Sequence, residues 1–216
     1  MTDLERRARA VRGCYPILDA RTLRANGVEA LEAAQACAAA GLRLVQYRHK
    51  DLWTRRESQE VEALARLLHE ANILFIVNDR ADIALAVGAD GVHLGQEDLT
   101  PEAVRSFAGD KLLIGLSTHN EAQLRAAADT PADYVAIGPI YATASKERPD
   151  PIVGLDGLSE ARRLTGRPLV AIGGITRERG PEVYAAGADC CAVVADLFRG
   201  DWRRAIREWA QIGPGL

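Results

Sequence analysis

The sequence predicts a single domain of the α/β class, a (β/α)8 TIM barrel that spans residues 1–216. Short apolar runs alternate with amphipathic helical stretches from one end of the chain to the other. The runs are apolar almost throughout, which is typical of parallel strands covered by helices. About eight such units in this length favour a closed barrel over an open doubly wound sheet, which is the second interpretation.

The predicted strands follow one another at regular intervals. In chain order they are "CYPIL", "LRLVQY", "ILFIVN", "GVHL", "LLIGLS", "YVAIG", "LVAIG" and "CAVVA". Helical segments such as "VEALEAAQACAAAG" and "VEALARLLHEA" lie between them. Thr100 before Pro101 predicts one helix start, and Thr118 in capping-box spacing with Glu121 predicts another. Residues 1–13 precede the first strand and are interpreted as an N-terminal extension or helix.

A weak internal repeat supports the barrel. The segments "VGADGVHL", "PADYVAIG" and "AGADCCAVV" share one order of features, in which a helix ends, Ala-Asp follows and a strand begins. The sequence contains no linker or low-complexity tract that would indicate a domain boundary. A single barrel is therefore expected.

Composition narrows the classes of function. The net charge is −3, with acidic and basic residues mixed along the chain, which argues against a nucleic-acid or membrane surface. The four cysteines lack CxxC spacing and are interpreted as reduced core thiols. No apolar run approaches the ~20 residues that span a bilayer, and no signal peptide is visible. We expect a cytoplasmic protein that binds small molecules, and a homo-oligomer stays possible.

Polar side chains cluster where the predicted strands end, which is where ligands bind in this fold. The second strand ends in Gln46, Arg48 and Lys50, and the third in Asn78 and Asp79. The remaining strand-end polar residues are Asp98, Ser117, Thr143, Ser145 and Lys146. The strand-end positions predict one binding site at the barrel mouth.

Two carboxylates from neighbouring strands, Asp79 and Asp98, indicate a metal site. Carboxylates without His or Cys nearby suit a hard cation, so Mg²⁺ is expected before Zn²⁺. Asp79 has an alternative interpretation as an Asx-turn or helix-cap residue. Asp98 fits that alternative less well, because Thr100 and Pro101 already begin the next helix.

Cations near such a metal site indicate a diphosphate ligand. Arg48, Lys50 and Lys146 carry the charges that bind phosphate oxygens. The glycine pair in "AIGGIT" suggests a second phosphate site, although tight turns also favour glycine. His93 and His119 are interpreted as ordinary strand-end and helix-start residues, and no chemical role is expected for His49, which faces the helices by alternation.

Taken together, five segments closely resemble the thiamine-phosphate synthase (thiamine-phosphate pyrophosphorylase) family. They are "VQYRHKD", "FIVNDRADIALAVGADGVHLGQEDL", "IGLSTHN", "DYVAIGPIYATASKE" and "LVAIGGIT". The resemblance implies a transferase that joins hydroxymethylpyrimidine diphosphate to a thiazole phosphate and releases pyrophosphate. It also implies Mg²⁺ as the cofactor.

The resemblance assigns expected roles residue by residue. The pyrimidine diphosphate would be held by Gln46, Arg48, Lys50 and Lys146. Asn78 and Ser117 would contact the pyrimidine, while Asp79 and Asp98 would hold Mg²⁺. The thiazole-phosphate side would be lined by Thr143, Ser145, Gly174, Val194 and Ala195. The catalytic residues would be Lys146, Arg48, Lys50 and Ser117. The small, polar segment "ATASKERP" suggests in addition that Lys146 acts on the leaving group from a mobile loop.

The chain departs from the family pattern at two places. His49 stands where an acidic residue is common, and little effect is expected because the side chain points outward. Ala195 stands where serine is usual and is followed by Asp196, so weaker binding of the thiazole phosphate is expected. The strand-one segment "CYPILDARTL" shows no distinctive chemistry.

Three other functions are compatible with such a barrel. A thiazole tautomerase would use an acid or base near the ligand, for which His119 is available. A regulatory barrel would bind phosphorylated ligands without turnover. A sugar-phosphate isomerase fits less well, because it gives the two aspartates no purpose.

Overall fold

The computed structural model describes residues 2–143 and 150–214. Eight parallel strands pair in chain order, and pairing of the first strand with the last closes the barrel. The closed barrel confirms the predicted fold and excludes the open doubly wound sheet. No helix of the described ranges is long and apolar enough to cross a membrane.

Each strand coincides with a predicted apolar run. The strands are β1 (Gly13–Asp19), β2 (Leu44–Arg48), β3 (Leu74–Asn78), β4 (Gly91–Leu94), β5 (Leu113–Thr118), β6 (Tyr134–Ile137), β7 (Leu169–Ile172) and β8 (Cys190–Val193). They are short and almost wholly buried, as expected for strands that pack against the barrel interior on one face and helices on the other.

The helices follow the strands around the outside. Within the described ranges they are α1 (Asp3–Arg9), α2 (Ala20–Ala25), α3 (Ala30–Ala39), α4 (Arg55–Glu70), α5 (Ala81–Val87), α6 (Pro101–Ala108), α7 (Glu121–Ala127), α8 (Gly154–Leu164), α9 (Gly180–Ala185) and α10 (Trp202–Trp209). Short 3₁₀ turns occupy Gly109–Lys111 and Ala195–Phe198. Helix α1 therefore forms most of the predicted N-terminal extension.

Of the two predicted helix starts, one is confirmed and one is wrong. The Thr100 side chain accepts a hydrogen bond from the backbone N–H of Ala103 and caps α6. Thr118 does not cap α7, because β5 continues through it and its hydroxyl donates to the carbonyl of Ala136 at 2.9 Å. The cap is Asn120, whose side chain accepts from the backbone N–H of Gln123 at 2.9 Å.

The repeated Ala-Asp junction has a common structural role. Asp90, Asp133 and Asp189 each stand just before an even-numbered strand and accept a backbone N–H at the start of the preceding odd-numbered strand. Two of these carboxylates also bind arginines, Asp133 with Arg105 and Asp189 with Arg162, both at 2.7 Å. The repeat therefore marks places where one aspartate side chain joins two neighbouring strands at their N-terminal ends, opposite the barrel mouth.

The core has two layers. The barrel interior is filled by side chains including Tyr15, Ile17, Leu44, Ile76, Leu113, Tyr134, Val170 and Cys190. A larger layer lies between the strands and the surrounding helices. All four cysteines are buried and unbonded, as predicted. Burial raises the pKa of the Cys37 and Cys191 thiols to about 12, so both stay protonated at neutral pH.

Candidate active site

The end of β2 shows how the structure keeps a cation at the barrel mouth. The Arg48 guanidinium donates to the Asp19 carboxylate at 2.6 Å, and Asp19 is the last residue of the neighbouring strand β1. Asp19 also accepts the backbone N–H and the hydroxyl of Thr22 at 2.9 and 2.8 Å. The ion pair with Asp19 therefore orients the Arg48 guanidinium and offsets the electrostatic cost of holding a partly buried cation at the barrel mouth.

Asp19 stays ionised. Burial opposes its charged form, but the hydrogen bonds from Thr22 and Arg48 outweigh burial and hold the pKa of the carboxyl below its ordinary value. The sequence analysis missed this residue. The available signal was alternation along β1, which places Tyr15, Ile17 and Asp19 on the interior face.

Lys50, Asp79 and Asp98 form the second charged group at the mouth. The Lys50 ammonium binds the Asp79 carboxylate, and the Asp98 carboxylate lies beside that of Asp79. Burial raises the pKa of Asp79 above its ordinary value; Asp98 acts in the same direction and Lys50 against it. The two predicted metal-binding carboxylates therefore lie together.

The backbone favours a functional interpretation of Asp79 over a capping role. Asp79 has a φ of 60°, in the left-handed region that is unfavourable for a non-glycine residue. Helix α5 has no side-chain cap, and its cap position is Arg80. The Asp79 carboxylate instead contacts Lys50, so the helix-cap interpretation is wrong.

The position of Asp98 depends on a glycine. The Asp98 carboxylate accepts the backbone N–H of Gly95 at 2.7 Å. A Cβ atom at Gly95 would lie 2.9 Å from the same carboxylate oxygen. Gly95 therefore provides both a hydrogen bond and the space in which Asp98 sits.

The polar residues deeper in the mouth come from β2, β3 and β5. Gln46 and Asn78 are both buried, and the amide nitrogen of Asn78 has no hydrogen-bond partner among the described residues. A buried donor without a partner is costly, which makes Asn78 a suitable ligand contact. The Ser117 hydroxyl lies 2.9 Å from Nε2 of His93. His93, interpreted from sequence as an ordinary strand-end residue, thus contacts a predicted site residue.

The other side of the mouth contains a cavity of about 150 Å³. Its walls include the predicted residues Ser117, Thr143, Gly174, Val194 and Ala195. Gly173 and Gly174 have positive φ values of 98° and 65°, and a Cβ at Gly174 would lie 2.5 Å from the carbonyl oxygen of Ala142. Backbone packing alone thus requires these glycines, and a phosphate-binding role for them stays a prediction.

Asp196 lies in the wall of this cavity, and only one oxygen of its carboxylate, Oδ2, is paired, because Oδ1 has no hydrogen-bond partner among the described residues. Its carboxylate accepts the backbone N–H and Nε of Arg177, both at 3.1 Å, and the indole N–H of Trp209 at 2.8 Å. Arg177 supplies the compensating charge. Repulsion of a phosphate by Asp196 is therefore smaller than the sequence suggests, while the missing hydroxyl at Ala195 is unaffected by this pairing.

The outward orientation of His49 is confirmed. Its ring packs between Tyr47 and Trp53, behind β2 and away from the mouth. His119 lies in the cavity wall, where its Nδ1 donates to the carbonyl of Gly138 at 2.8 Å. Ser145 and Lys146 lie outside the described residues, so their predicted roles are untested by the geometry.

Comparison with known proteins identifies the family. The family model described as thiamine monophosphate synthase matches residues 14–197. The chain belongs to this family. A thiamine-phosphate synthase of Koribacter versatilis is 49% identical over 174 residues, which cover 81% of this chain and 82% of the relative. Another, of Pelotomaculum thermopropionicum, is 45% identical over 158 residues, covering 73% and 72%.

A solved structure agrees in fold and sequence. The thiamine phosphate pyrophosphorylase of Pyrococcus furiosus superposes with a TM-score of 0.84 at 32% identity, covering 94% of this chain and 96% of the other. Membership of the thiamine-phosphate synthase family makes this chain an enzyme, a transferase of thiamine biosynthesis that acts on small molecules. The resemblance inferred from the sequence motifs is thereby confirmed.

Proposed function

We propose that the enzyme condenses 4-amino-2-methyl-5-(diphosphooxymethyl)pyrimidine with a thiazole phosphate, or its carboxylated form, to give thiamine phosphate and pyrophosphate with the help of Mg²⁺. The observation that carries the proposal is the division of the mouth into two parts. One part holds paired carboxylates with two cations. The other is an adjoining cavity lined mainly by glycines and small or aliphatic side chains, together with His119, Asp150 and Asp196. Two phosphorylated substrates fit that division.

Asp79 and Asp98 suit Mg²⁺ by chemistry and position. Two adjacent carboxylates raise each other's energy when both are ionised, and a divalent cation relieves that repulsion. Mg²⁺ characteristically takes few protein ligands and shares substrate phosphates. When bound, it would neutralise negative charge that develops on the departing diphosphate.

The chain's own cations would bind the diphosphate. Asp19 orients Arg48, whose remaining N–H groups can donate to phosphate oxygens. Lys50 is 40% exposed and so can turn from Asp79 towards a ligand. Lys146 would act on the leaving group from its position after β6. Gln46, Asn78 and Ser117 would hold the pyrimidine, while Thr143, Ser145, Gly174, Val194 and Ala195 would bind the thiazole phosphate.

The proposed reaction needs positioning and charge more than a protein nucleophile. The C–O bond to the diphosphate breaks first, and its electron pair leaves with the diphosphate. The pyrimidine CH₂ cation is stabilised by the electron-rich ring, and the thiazole nitrogen then donates its lone pair to form the new C–N bond. Cations at the leaving group and fixed ring positions are what this sequence of steps requires.

Pyrophosphate release from the purified protein tests the proposal. The pyrimidine diphosphate is supplied with the thiazole phosphate and Mg²⁺ each present or omitted, and the organic product is identified. Release that needs every component and yields thiamine phosphate supports the synthase. Absence of thiamine phosphate with intact thiazole binding would favour the tautomerase or the regulatory barrel.

Single-residue variants then separate the roles. Asp79→Ala and Asp98→Ala should each raise the Mg²⁺ requirement, and Lys146→Ala should lower turnover. Equal turnover by Lys146→Ala and the parent would refute a role on the leaving group. A cytoplasmic location is part of the proposal, and four buried, unbonded thiols support a reducing compartment.

A further inference from the structure

A chain of hydrogen bonds crosses the barrel interior beneath the mouth and joins two predicted substrate contacts. The Gln46 amide nitrogen donates to the Tyr15 hydroxyl at 2.9 Å, and that hydroxyl lies 3.1 Å from the hydroxyl of Tyr134. The Tyr134 hydroxyl lies 3.1 Å from Nδ1 of His93, whose Nε2 lies 2.9 Å from the Ser117 hydroxyl. The five side chains come from five different strands.

The packing holds this chain in one arrangement. Tyr15 and Tyr134 are fully buried and contact each other edge to face. Gly115 makes room for it, because a Cβ there would lie 2.1 Å from the Tyr134 ring and 2.5 Å from Nδ1 of His93. A buried hydroxyl or imidazole that loses its partner pays a desolvation penalty, so the links are maintained together.

His93 is neutral in this setting. Burial lowers the pKa of its imidazole to about 4. A neutral imidazole carries one N–H donor and one acceptor nitrogen. If one ring nitrogen of His93 accepts a hydrogen bond, the other must therefore donate one.

The direction follows from the end at Gln46. An amide nitrogen only donates, so the Tyr15 oxygen accepts and its proton is available to Tyr134. Tyr134 then donates to Nδ1 of His93, which leaves the His93 proton on Nε2. That N–H donates to Ser117, and the Ser117 hydroxyl proton is free to point into the mouth.

We propose that Tyr15, Tyr134 and His93 are positioning residues that fix this direction, so that Gln46 offers its carbonyl oxygen as an acceptor and Ser117 offers its hydroxyl as a donor. A ligand that matches the pair carries an N–H donor and an unprotonated ring nitrogen, as an aminopyrimidine does. This identification of the ligand rests on the proposed function, whereas the direction of the chain does not.

The tautomer of His93 in the free enzyme tests the direction. Nitrogen-15 NMR of the imidazoles at pH 7 should show His93 with its proton on Nε2, and Ser117→Ala should shift the Nε2 signal. A proton on Nδ1, or a doubly protonated ring, would overturn the proposal. This measurement needs no turnover and therefore stands even if the proposed reaction fails.

Kinetics test the consequence for the ligand. Tyr134→Phe removes one link while keeping the ring, and should raise KM for the pyrimidine diphosphate about tenfold while KM for the thiazole phosphate stays within twofold. His93→Leu should act alike, and His93→Gln, which restores a donor towards Ser117, should recover most of the loss.

A tyrosine that takes no part in this chain of hydrogen bonds is the matched control. Tyr47 is equally buried, but its hydroxyl binds Glu60 on the outer face of β2. Tyr47→Phe should leave both KM values unchanged. A Tyr134→Phe enzyme with the parent's pyrimidine KM would refute the positioning role, whereas a wild-type enzyme that makes no thiamine phosphate would refute the proposed function instead.

Discussion

Replacement of Arg177 by alanine should destabilise the protein strongly, because it leaves a buried carboxylate without its counter-charge. Asp196 is 5% exposed, and Arg177 supplies the cation that pairs with it. Arg177 also binds Glu208 on α10 at 2.6 Å, so it joins the turn after β8 to the last helix. Without Arg177, Asp196 would keep the indole N–H of Trp209 and a backbone N–H.

The expected magnitude follows from that remaining environment. Breaking a buried ion pair by removing one partner costs about 3–5 kcal/mol, and the two surviving donors favour the lower end. At about 3 kcal/mol, the thermal midpoint of a chain of this length should fall by roughly 6–12 °C. Adding Asp196→Asn to Arg177→Ala removes the uncompensated charge and should recover at least about 1 kcal/mol.

Urea unfolding followed by tryptophan fluorescence, with thermal unfolding by circular dichroism, measures these changes. Arg204→Ala is the matched control, because Arg204 binds the same Glu208 at 2.7 Å but its side chain is 72% exposed. The control should unfold like the parent. Equal midpoints for Arg177→Ala and Arg204→Ala would refute the reasoning, as would a double variant no more stable than Arg177→Ala.

Three further outcomes are expected. Gly95→Ala should displace the Asp98 carboxylate and raise the Mg²⁺ concentration for half-maximal activity about tenfold; Gly166→Ala, where an added Cβ meets nothing within 4 Å, should not. Ala195→Ser should lower KM for the thiazole phosphate by about threefold to tenfold by adding a hydroxyl donor, and an unchanged KM would exclude that contact. The pKa of His93 is about 4 in the folded protein and 6.5 ordinarily. Between pH 4 and 6.5 the unfolded state therefore binds more protons at this residue than the folded state does. The contribution of His93 to stability should therefore fall by about 3 kcal/mol as pH drops from 6.5 to 4, a loss that urea titrations of His93→Gln should not show.

The fold could be predicted from the sequence because each strand is a largely apolar run, and such a run is visible in the local sequence without knowledge of its partners. Helix starts were less secure. Thr118 and Asn120 are both good caps, and the choice depends on how far β5 extends, which is fixed by pairing of Thr118 with Ile137 on β6. That information is carried by a distant part of the chain.

The sequence predicted that polar side chains gather at the barrel mouth, but not which of them pair with one another. Polar residues at strand ends must meet at the mouth of a parallel barrel, so Arg48, Lys50 and Asp79 could be grouped from sequence alone. Which carboxylate holds which cation depends on strand register, and Asp19 escaped notice because its partner lies on another strand. Asp196 was misjudged for the same reason, since Arg177 and Trp209 reach it from separate elements.

These pairings also explain how the barrel mouth accommodates two cationic side chains, Arg48 and Lys50, when no ligand is bound. Arg48 is held by Asp19 and Lys50 by Asp79, so neither pays the full cost of an unpaired charge in the free protein. The two partners differ in consequence. Asp19 is satisfied by Thr22 as well and can keep orienting Arg48 when a ligand arrives. In the proposed site, Mg²⁺ would compete with Lys50 for the Asp79 carboxylate, and a bound diphosphate would offer Lys50 another partner. Binding of Mg²⁺ and binding of diphosphate should therefore strengthen each other, and by linkage to the same degree in both directions.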